Sequence, residues 1–259
     1  MTISGPTSGN GAAAGGAGGA NAFDFAAMLD SIAVESHTLA EVVAHSDLEA
    51  RVPSTPKWSV RDLAHHIGEV QWYWGQNVAA KNPEERSGGD LTTFPDDVDL
   101  QAWLGWCTYT LLGALREAGP DAPCWAWWPS PHTSGAVARH QAQEVAVHRW
   151  DAEGVAGPGA SAPLAPGLAT DGVPEFVEIM IGTDLGALPG AVTLTAVDTG
   201  ASWRVMGDDD VARPGRTSEL QASASDLVLM LYRRLPVPDV AVVGDPVLVA
   251  ALLSLADTS

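Results

Sequence analysis

Lysine is scarce in this chain: only two of its 259 residues are lysine, and Lys and Arg together number 13 against 32 Asp and Glu. The formal net charge is −19. Non-specific nucleic-acid binding relies on Lys and Arg side chains that displace phosphate counterions, and docking on an anionic membrane surface needs the same positive charge. The composition therefore argues against both kinds of partner.

Cysteines and long apolar runs are also scarce. Cys107 and Cys124 are the only cysteines, too few for a disulfide framework. No apolar run approaches the roughly 18 residues of a membrane span. The N-terminal residues lack the positive charge and the apolar stretch of a secretory signal. We therefore expect a cytoplasmic protein with no membrane partner.

The pattern of apolar and small residues predicts two folded regions of different class. Residues 1–21 are rich in Gly and Ala and are expected to be disordered. Four amphipathic segments within residues 22–156 predict a four-helix bundle. Residues 157–166 form a Gly/Ala/Pro linker, and residues 167–259 mix β-rich runs with helices, which predicts a small α+β domain.

Local signals in the C-terminal region refine that expectation. Two β-rich runs flank Asp198-Thr-Gly200 and predict a hairpin. A helix is expected around Pro174 to Ile181, and another capped by Ser225-Asp226 and running to Arg234. Pro246 stands where the first turn of a closing helix is predicted.

Candidate metal ligands are densest near the end of the fourth predicted helix. Glu144 and His148 are four residues apart and share one face, as does Asp151 three residues later. His140 lies on the same face but is about 12 Å from His148 along the axis, so the two cannot bind one ion together. Either Glu144 with His148 or His140 with Glu144 is possible, and a solvated polar face is the simpler alternative.

A further ligand is available on the second predicted helix. His65 and His66 are adjacent, so their side chains point about 100° apart. The apolar stripe of this helix places His66 toward the bundle interior and His65 outward. His66, Glu144 and His148 would make a site with two histidines and one carboxylate and an open position, for which Zn²⁺ is the first expectation and iron the alternative.

Several aromatic and thiol side chains have a structural and a functional interpretation. Trp125, Trp127 and Trp128 are interpreted as packing residues or as the wall of a substrate pocket. Cys124 is interpreted as a small packing residue rather than a nucleophile, because no sequence feature indicates a lowered thiol pKa.

Two stretches of the bundle resemble known signatures. Trp58-Ser-Val-Arg-Asp-Leu-Ala-His-His66 resembles the second-helix signature of DinB-like metal-binding bundles, in which the ligand histidine follows the tryptophan by eight residues. The stretch Arg139 to Glu153 resembles the fourth-helix signature of the mycothiol-dependent maleylpyruvate isomerase family. The pieces Ser225 to Pro236 and Val243 to Asp245 are similar to that family's second domain, which has a sterol-carrier-like α+β fold.

The resemblance implies a function and a set of site residues. His66, Glu144 and His148 would bind a divalent metal, usually Zn²⁺, and mycothiol would be the thiol cofactor. The enzyme would be an isomerase or thiol S-transferase whose thiolate adds to an activated double bond of a small electrophilic, carboxylate-bearing substrate. Asp151 would orient a ligand or contact the thiol, and Arg234 would recognise an anionic group.

The sequence departs from the family pattern at three places. Unusual features are the Gly/Ala tail, the His65-His66 doublet, and Arg233 at a position where the family usually has Gly. The rivals are a thiol-independent metal enzyme of specialised metabolism and a small-molecule-binding protein without catalysis. A monomer or small homo-oligomer is expected.

Overall fold

The predicted helices follow one another along the N-terminal part of the chain. The computed structural model describes residues 23–89, 99–207 and 215–256, and the tail expected to be disordered, residues 1–21, lies outside them. The first four helices are α1 (Phe25–His45), α2 (Val60–Ala80), α3 (Leu100–Ala118) and α4 (Ser134–Glu153). Each begins at a Ser, Thr or Asp whose side chain accepts a backbone N–H of the first turn.

These helices pack as a bundle in which α1 and α2 each contact both α3 and α4. Ring contacts join His66 to His148 and Trp74 to His140, so α2 and α4 run antiparallel. The glycine within α2 at position 68 has a packing reason, because a Cβ there would lie 2.0 Å from the indole of Trp103. Helix α3 can therefore approach α2 closely at this point.

Residue contacts divide the chain into two compact units, with the boundary between Leu164 and Ala165. The second unit begins with α5 (Pro166–Phe176), which continues as irregular helical turns to Ala187. Its remaining elements are β1 (Ala191–Ala196), β2 (Ser202–Met206), β3 (Thr217–Ala222), α6 (Ala224–Leu231), β4 (Val242–Gly244) and α7 (Pro246–Leu253).

The sheet has the strand order β2-β1-β3-β4. Strands β1 and β2 form the predicted antiparallel hairpin, β1 and β3 are parallel, and β4 adds antiparallel to β3. Alternate residues such as Val192, Leu194 and Leu220 are buried, and α6 and α7 both contact β1 and β3. Together with the bundle, this arrangement confirms the predicted fold class: a helical bundle followed by a small α+β unit.

Some element boundaries differ from expectation. Helix α5 begins at Pro166 rather than near Pro174, because proline is compatible with a first helical turn. The cap of α6 is Ser223, which accepts the N–H of Asp226, and Ser225 lies inside the helix. Within the described ranges, no helix combines the length and apolarity needed to cross a bilayer.

Candidate metal centre

Helix α2 presents His66 toward α4. The helix is anchored at its start by a capping box, in which Ser59 Oγ accepts the N–H of Asp62 and the Asp62 carboxylate accepts the N–H of Ser59. Trp58, just before the cap, packs its indole 4.8 Å from the His66 ring. The imidazole is thereby restricted in orientation while its Nε2 points at Glu144.

Helix α4 supplies the other candidate ligands from a face that is buried rather than solvated. His148 is 6% exposed and Asp151 is fully buried. The alternative, in which the polar side of this helix faces water, is therefore wrong. Polar residues are buried on most sides of α4.

Three side chains converge at one point between α2 and α4. Glu144 Oε1 lies 2.9 Å from His66 Nε2 and 3.5 Å from His148 Nε2. The ligand atoms of these three residues all lie within 4.8 Å of one another. Among the residues that the structure describes, no other group of His, Cys, Asp and Glu meets this condition.

Asp151 fixes the orientation of His148. Its Oδ2 lies 2.9 Å from His148 Nδ1, and its Oδ1 accepts a 2.6 Å hydrogen bond from the Ser54 hydroxyl. A carboxylate that accepts Nδ1–H leaves the Nε2 lone pair of the same ring available for a metal. The Trp58 indole also stacks on this ring, at 5.8 Å between centroids.

The cluster strongly perturbs the ionisation of its members. Burial opposes the charged form of Glu144, but hydrogen bonds and charges of His148 and His66 outweigh it and hold the carboxyl pKa well below its ordinary value. Burial likewise lowers the pKa of His148, but hydrogen bonds to Asp151 and Glu144 raise it to about 9. Both shifts have the same origin, because a carboxylate and an imidazolium in contact each stabilise the charged form of the other.

The donor set fits a divalent metal. Zinc bonds to His nitrogen and carboxylate oxygen of about 2.0–2.2 Å place neighbouring ligand atoms about 3.3–3.6 Å apart in a tetrahedron. The two measured separations, 2.9 and 3.5 Å, lie near that range. Two imidazoles, one carboxylate and a buried carboxylate behind one imidazole match a site that leaves one position for another ligand.

The other histidines near the centre have different surroundings. The His140 ring lies among Trp74, Trp127 and Trp128, with ring centroids 5.3 to 6.2 Å away, so of the two pairs left open, Glu144 with His148 is the one that meets His66. His65 packs edge-on against Trp103 of α3. It is therefore partly covered rather than fully outward as expected, since α3 lies beside this face of α2.

The two thiols of the bundle are buried, whereas its tryptophans differ in exposure. Burial raises the pKa of Cys107 to about 12 and that of Cys124 to about 11, so neither is a thiolate near neutral pH. Trp128 is buried, whereas Trp127 is 51% exposed. Trp125 stacks on Trp74 and meets the Tyr73 ring edge-on, 6.4 Å away.

Arg234 belongs to the C-terminal unit, whereas the three candidate ligands and Asp151 belong to the N-terminal unit. It follows the end of α6, where its N–H bonds to the Leu229 carbonyl and one guanidinium nitrogen donates to the Tyr232 carbonyl. Arg233 has a left-handed backbone, with φ of 58°, and its side chain donates to the carbonyls of Leu253, the last residue of α7, and of Ala256 beyond it. Arg233 thus serves the packing of its own unit.

Sequence reasoning missed Ser54. This residue lies in a Pro-rich loop between α1 and α2 and is separated from Asp151 by 97 positions. Loop residues carry no periodic signal, so nothing in the sequence pairs its hydroxyl with a carboxylate on α4. The sequence showed Trp58 only as part of a motif. It did not show that the Trp58 ring contacts both His66 and His148.

Comparisons with known proteins agree with this architecture. Residues 29–153 match the family model described as the mycothiol maleylpyruvate isomerase N-terminal domain. All three candidate ligands and Asp151 lie within the matched stretch. A search among curated proteins gives no significant match.

Two solved structures share the fold. The chain is similar to a crystal structure of mycothiol-dependent maleylpyruvate isomerase, with a TM-score of 0.57 and 13% identity, and to that of a histidine-to-alanine mutant, with a TM-score of 0.58 and 14% identity. Each alignment covers 79% of this chain and 87% of the other. At this identity the likeness shows the common fold.

Proposed function

Because residues 29–153 match the model of the mycothiol maleylpyruvate isomerase N-terminal domain, we propose that this chain is a metal- and mycothiol-dependent enzyme. Its reaction is isomerisation of, or thiol transfer to, a small electrophilic acid. The observation that carries the proposal is the convergence of His66, Glu144 and His148 within 4.8 Å of one another, inside the stretch that matches the family.

The three residues hold a divalent metal, which we propose to be Zn²⁺. When bound, such an ion lowers the pKa of a coordinated thiol so that the thiolate is present near neutral pH. His66 and His148 supply neutral imidazole nitrogens and Glu144 an anionic oxygen, so the ligand set carries one negative charge. Asp151 accepts the Nδ1 proton of His148 and keeps the opposite nitrogen directed at the metal position.

The proposed reaction proceeds through the thiol of mycothiol. Its sulfur forms a bond to one carbon of an activated double bond, and the substrate carbonyl takes up the electron pair. Rotation about the resulting single bond, followed by return of the electron pair and expulsion of the thiolate, gives the isomerised alkene. Protonation of the enolate carbon with retention of the carbon–sulfur bond gives the S-transfer product instead. Recognition of an anionic group by the Arg234 guanidinium stays a prediction from the sequence.

The cellular compartment that we propose for this enzyme follows from its use of a thiol. A reducing cytoplasm keeps both the thiol cofactor and the two buried cysteines reduced. The partners are a small-molecule substrate and a low-molecular-weight thiol, and the enzyme works as a monomer or small homo-oligomer.

Metal analysis and thiol dependence test the proposal together. Purified wild type should contain about one zinc per chain, and the variants His66→Ala and His148→Ala should lose most of it, whereas the exposed α1 residue His37 gives a matched control, His37→Ala, that retains it. Turnover of an α,β-unsaturated keto acid should require mycothiol and fall at least a hundredfold in the two metal-ligand variants.

Three outcomes would contradict the proposal. An equal zinc content in all four proteins would contradict the proposed metal site. Undiminished turnover without mycothiol would favour the thiol-independent metal enzyme. Tight binding of ligands with no turnover under any supply of metal and thiol would favour a non-catalytic binding protein.

A further inference from the structure

A cavity of about 310 Å³ opens between α1 and α3, whereas the candidate metal ligands lie on α2 and α4. Ten of the described residues line it, five from each of the two helices. Its volume is at the lower end of the range for small-molecule pockets. The cavity is therefore separate from the candidate metal centre, and the proposed function makes no use of it.

Two hydroxyl groups that line the cavity are held by a buried amide. Gln71 of α2 is 1% exposed, and its Nε2 donates to Ser36 Oγ at 2.8 Å. Its Oε1 accepts a hydrogen bond of 2.7 Å from the Thr108 hydroxyl. Each of the two hydroxyl oxygens keeps a lone pair for a further donor. The cavity thus offers two acceptors whose positions are fixed before a ligand arrives.

A carboxylate also lines the cavity. Glu41 Oε1 accepts a hydrogen bond from Gln101 Nε2, so a residue of α3 restricts the carboxylate of α1. This contact leaves the second carboxylate oxygen, Oε2, for a ligand, and Gln101 adds its own amide oxygen. The described lining contains no Lys or Arg, and its one histidine, His37, is exposed. The cavity is therefore rich in acceptors and carries a negative charge.

The rest of the lining includes apolar and aromatic side chains. Ala40 and Leu112 are buried, whereas the Tyr109 ring is 75% exposed. Gly105 has no side chain, and a Cβ at this position would meet no atom within 4 Å. The open space and the exposed ring together suit a flat carbon body, and the face of a tyrosine ring also attracts a cation.

The chemistry of this lining selects among small ligands. A carboxylate or a phosphate would be repelled by Glu41. A metal such as zinc takes at least three protein ligands, and within the described part of the chain only the group of His66, Glu144 and His148 provides them. A protonated primary amine carries a positive charge and three N–H donors, which match one carboxylate and several neutral acceptors. The net charge of −19 also raises the local concentration of such a cation.

We infer that the cavity between α1 and α3 binds a primary organic ammonium ion. The ammonium group bonds to Glu41, with the neutral oxygens of the lining as further acceptors. The carbon body lies against the Tyr109 ring, in the space left by Gly105. No described lining residue is a candidate metal ligand, so this site depends neither on the metal nor on the reaction proposed above.

Fluorine NMR can locate the ligand, because the chain has only three tyrosines. In the full chain labelled with 3-fluorotyrosine, the Tyr109 signal is identified by its loss in Tyr109→Phe. Titration with 2-phenylethylamine should shift this signal with a Kd below about 1 mM. The signals of Tyr73 and of the buried Tyr232 should stay in place. 2-Phenylethanol and phenylacetate, which carry a neutral and an anionic group instead of the ammonium, should bind more weakly by a factor of about ten or more.

The first variant removes the charge. In Glu41→Gln the Kd for 2-phenylethylamine should rise about 10- to 100-fold, as expected for the loss of a hydrogen bond between charged groups. The new amide can still accept the hydrogen bond from Gln101, so the lining keeps its shape. Asp30→Asn is the matched control, because it removes the same charge from an exposed position of α1 outside the described lining. Its Kd should stay within about twofold of wild type.

The second variant fills the cavity. Gly105→Leu places a side chain in the open space and should raise the Kd about tenfold or more. Gly113→Leu is the matched control, because a Cβ there would also meet no atom within 4 Å and this glycine of α3 is not part of the described lining. Leucine favours a helix more than glycine does, so both variants should stay folded.

Three results would overturn the inference. The first is a shift of the Tyr73 or Tyr232 signal in place of the Tyr109 signal, which would put the amine elsewhere. The second is an equal Kd for the amine, the alcohol and the acid, which would show that charge plays no part. The third is an unchanged Kd for 2-phenylethylamine in both Glu41→Gln and Gly105→Leu.

Discussion

Asp151 is the residue whose contacts link the candidate metal centre to the rest of the bundle. It bonds to His148 on one side and to Ser54 on the other, and no part of it is exposed. Removing such a supporting carboxylate typically weakens metal binding by about 10- to 100-fold. We therefore expect Asp151→Asn to lower zinc affinity by that factor, as measured by competition with a chelating dye.

The chain offers controls for this prediction. Ser54→Ala should lower zinc affinity less than Asp151→Asn, since the carboxylate remains and keeps its contact with His148 while it loses the serine hydroxyl. The exposed Asp121→Asn should leave affinity unchanged. An Asp151→Asn variant with wild-type zinc affinity and an unchanged circular dichroism spectrum would show that metal binding does not depend on the contact between Asp151 and His148.

Arg233 has a left-handed backbone, a conformation that glycine adopts more readily than other residues. Arg233 and Arg234 donate their N–H groups to the carbonyls of Met230 and Leu229, the pairing of a helix C-terminus that requires a positive φ. A side chain in this conformation costs about 1–2 kcal/mol. In this chain the hydrogen bonds from the guanidinium to Leu253 and Ala256 offset that cost.

The start of α2 is the element on which the position of His66 depends. Hydrogen bonds from the Ser59 backbone and hydroxyl lower the pKa of the Asp62 carboxyl. Replacing a capping serine by alanine usually costs about 0.5–2 kcal/mol. We expect Ser59→Ala to destabilise the protein by about 1 kcal/mol at pH 7, as measured by urea unfolding.

The pH dependence of this cap has a definite sign. Because the folded-state pKa of Asp62 is depressed, the ionised carboxylate contributes stability above its unfolded pKa, and this contribution is lost as the pH falls through the folded pKa. The stability difference between wild type and Ser59→Ala should therefore shrink as the pH is lowered from 6 toward 3. A stability difference between the two proteins that grows as the pH falls would contradict a stabilising role of the ionised Asp62 carboxylate.

Prediction from sequence succeeded where a feature repeats along a helix. The spacing of Glu144 and His148, the stripe that turns His66 inward and the resemblance to a known family together indicated three residues that lie close together in the structure. Their binding of a metal stays a prediction. The spacing could not show that the polar side of α4 is buried, since Gln141 and Arg149 look like solvent-facing residues by type. Their burial depends on which helices lie alongside, and that is decided by packing over long sequence separations.

Pairing between strands that are far apart in the sequence was the other feature that the sequence could not predict. The hairpin of β1 and β2 follows from a local turn signal at Gly200, which has a φ of 74°. The parallel pairing of β1 with β3 joins strands that are not consecutive, and no pattern within either strand specifies it. The cap at Ser223 was misplaced by two residues because several capping-type residues stand together there.

The whole molecule carries a net charge of −19, so repulsion among its carboxylates opposes the folded state. Salt screens exposed charges, with a Debye length of about 30 Å at 0.01 M and about 8 Å at 0.15 M. We expect the Tm at pH 7 to rise by several degrees when NaCl is increased from about 10 to about 300 mM, as measured by calorimetry.

The same measurement at lower pH is the control. Near pH 5, closer to the sequence pI of about 4.4, the net charge is smaller and the effect of salt on Tm should be correspondingly weaker. A Tm that falls with NaCl at pH 7 would mean that favourable ion pairs, such as that of Arg61 with Glu49, outweigh the general repulsion.

His66 and Glu144 are 78 residues apart in sequence, yet their side chains meet between two antiparallel helices. An ion held by both would act as a reversible cross-link that closes most of the bundle into a single loop. Closing a loop of this length early in folding is entropically costly, by a term that grows with the logarithm of its length. Metal should therefore bind late in folding and leave early in unfolding, so that its loading slows unfolding more than it speeds folding.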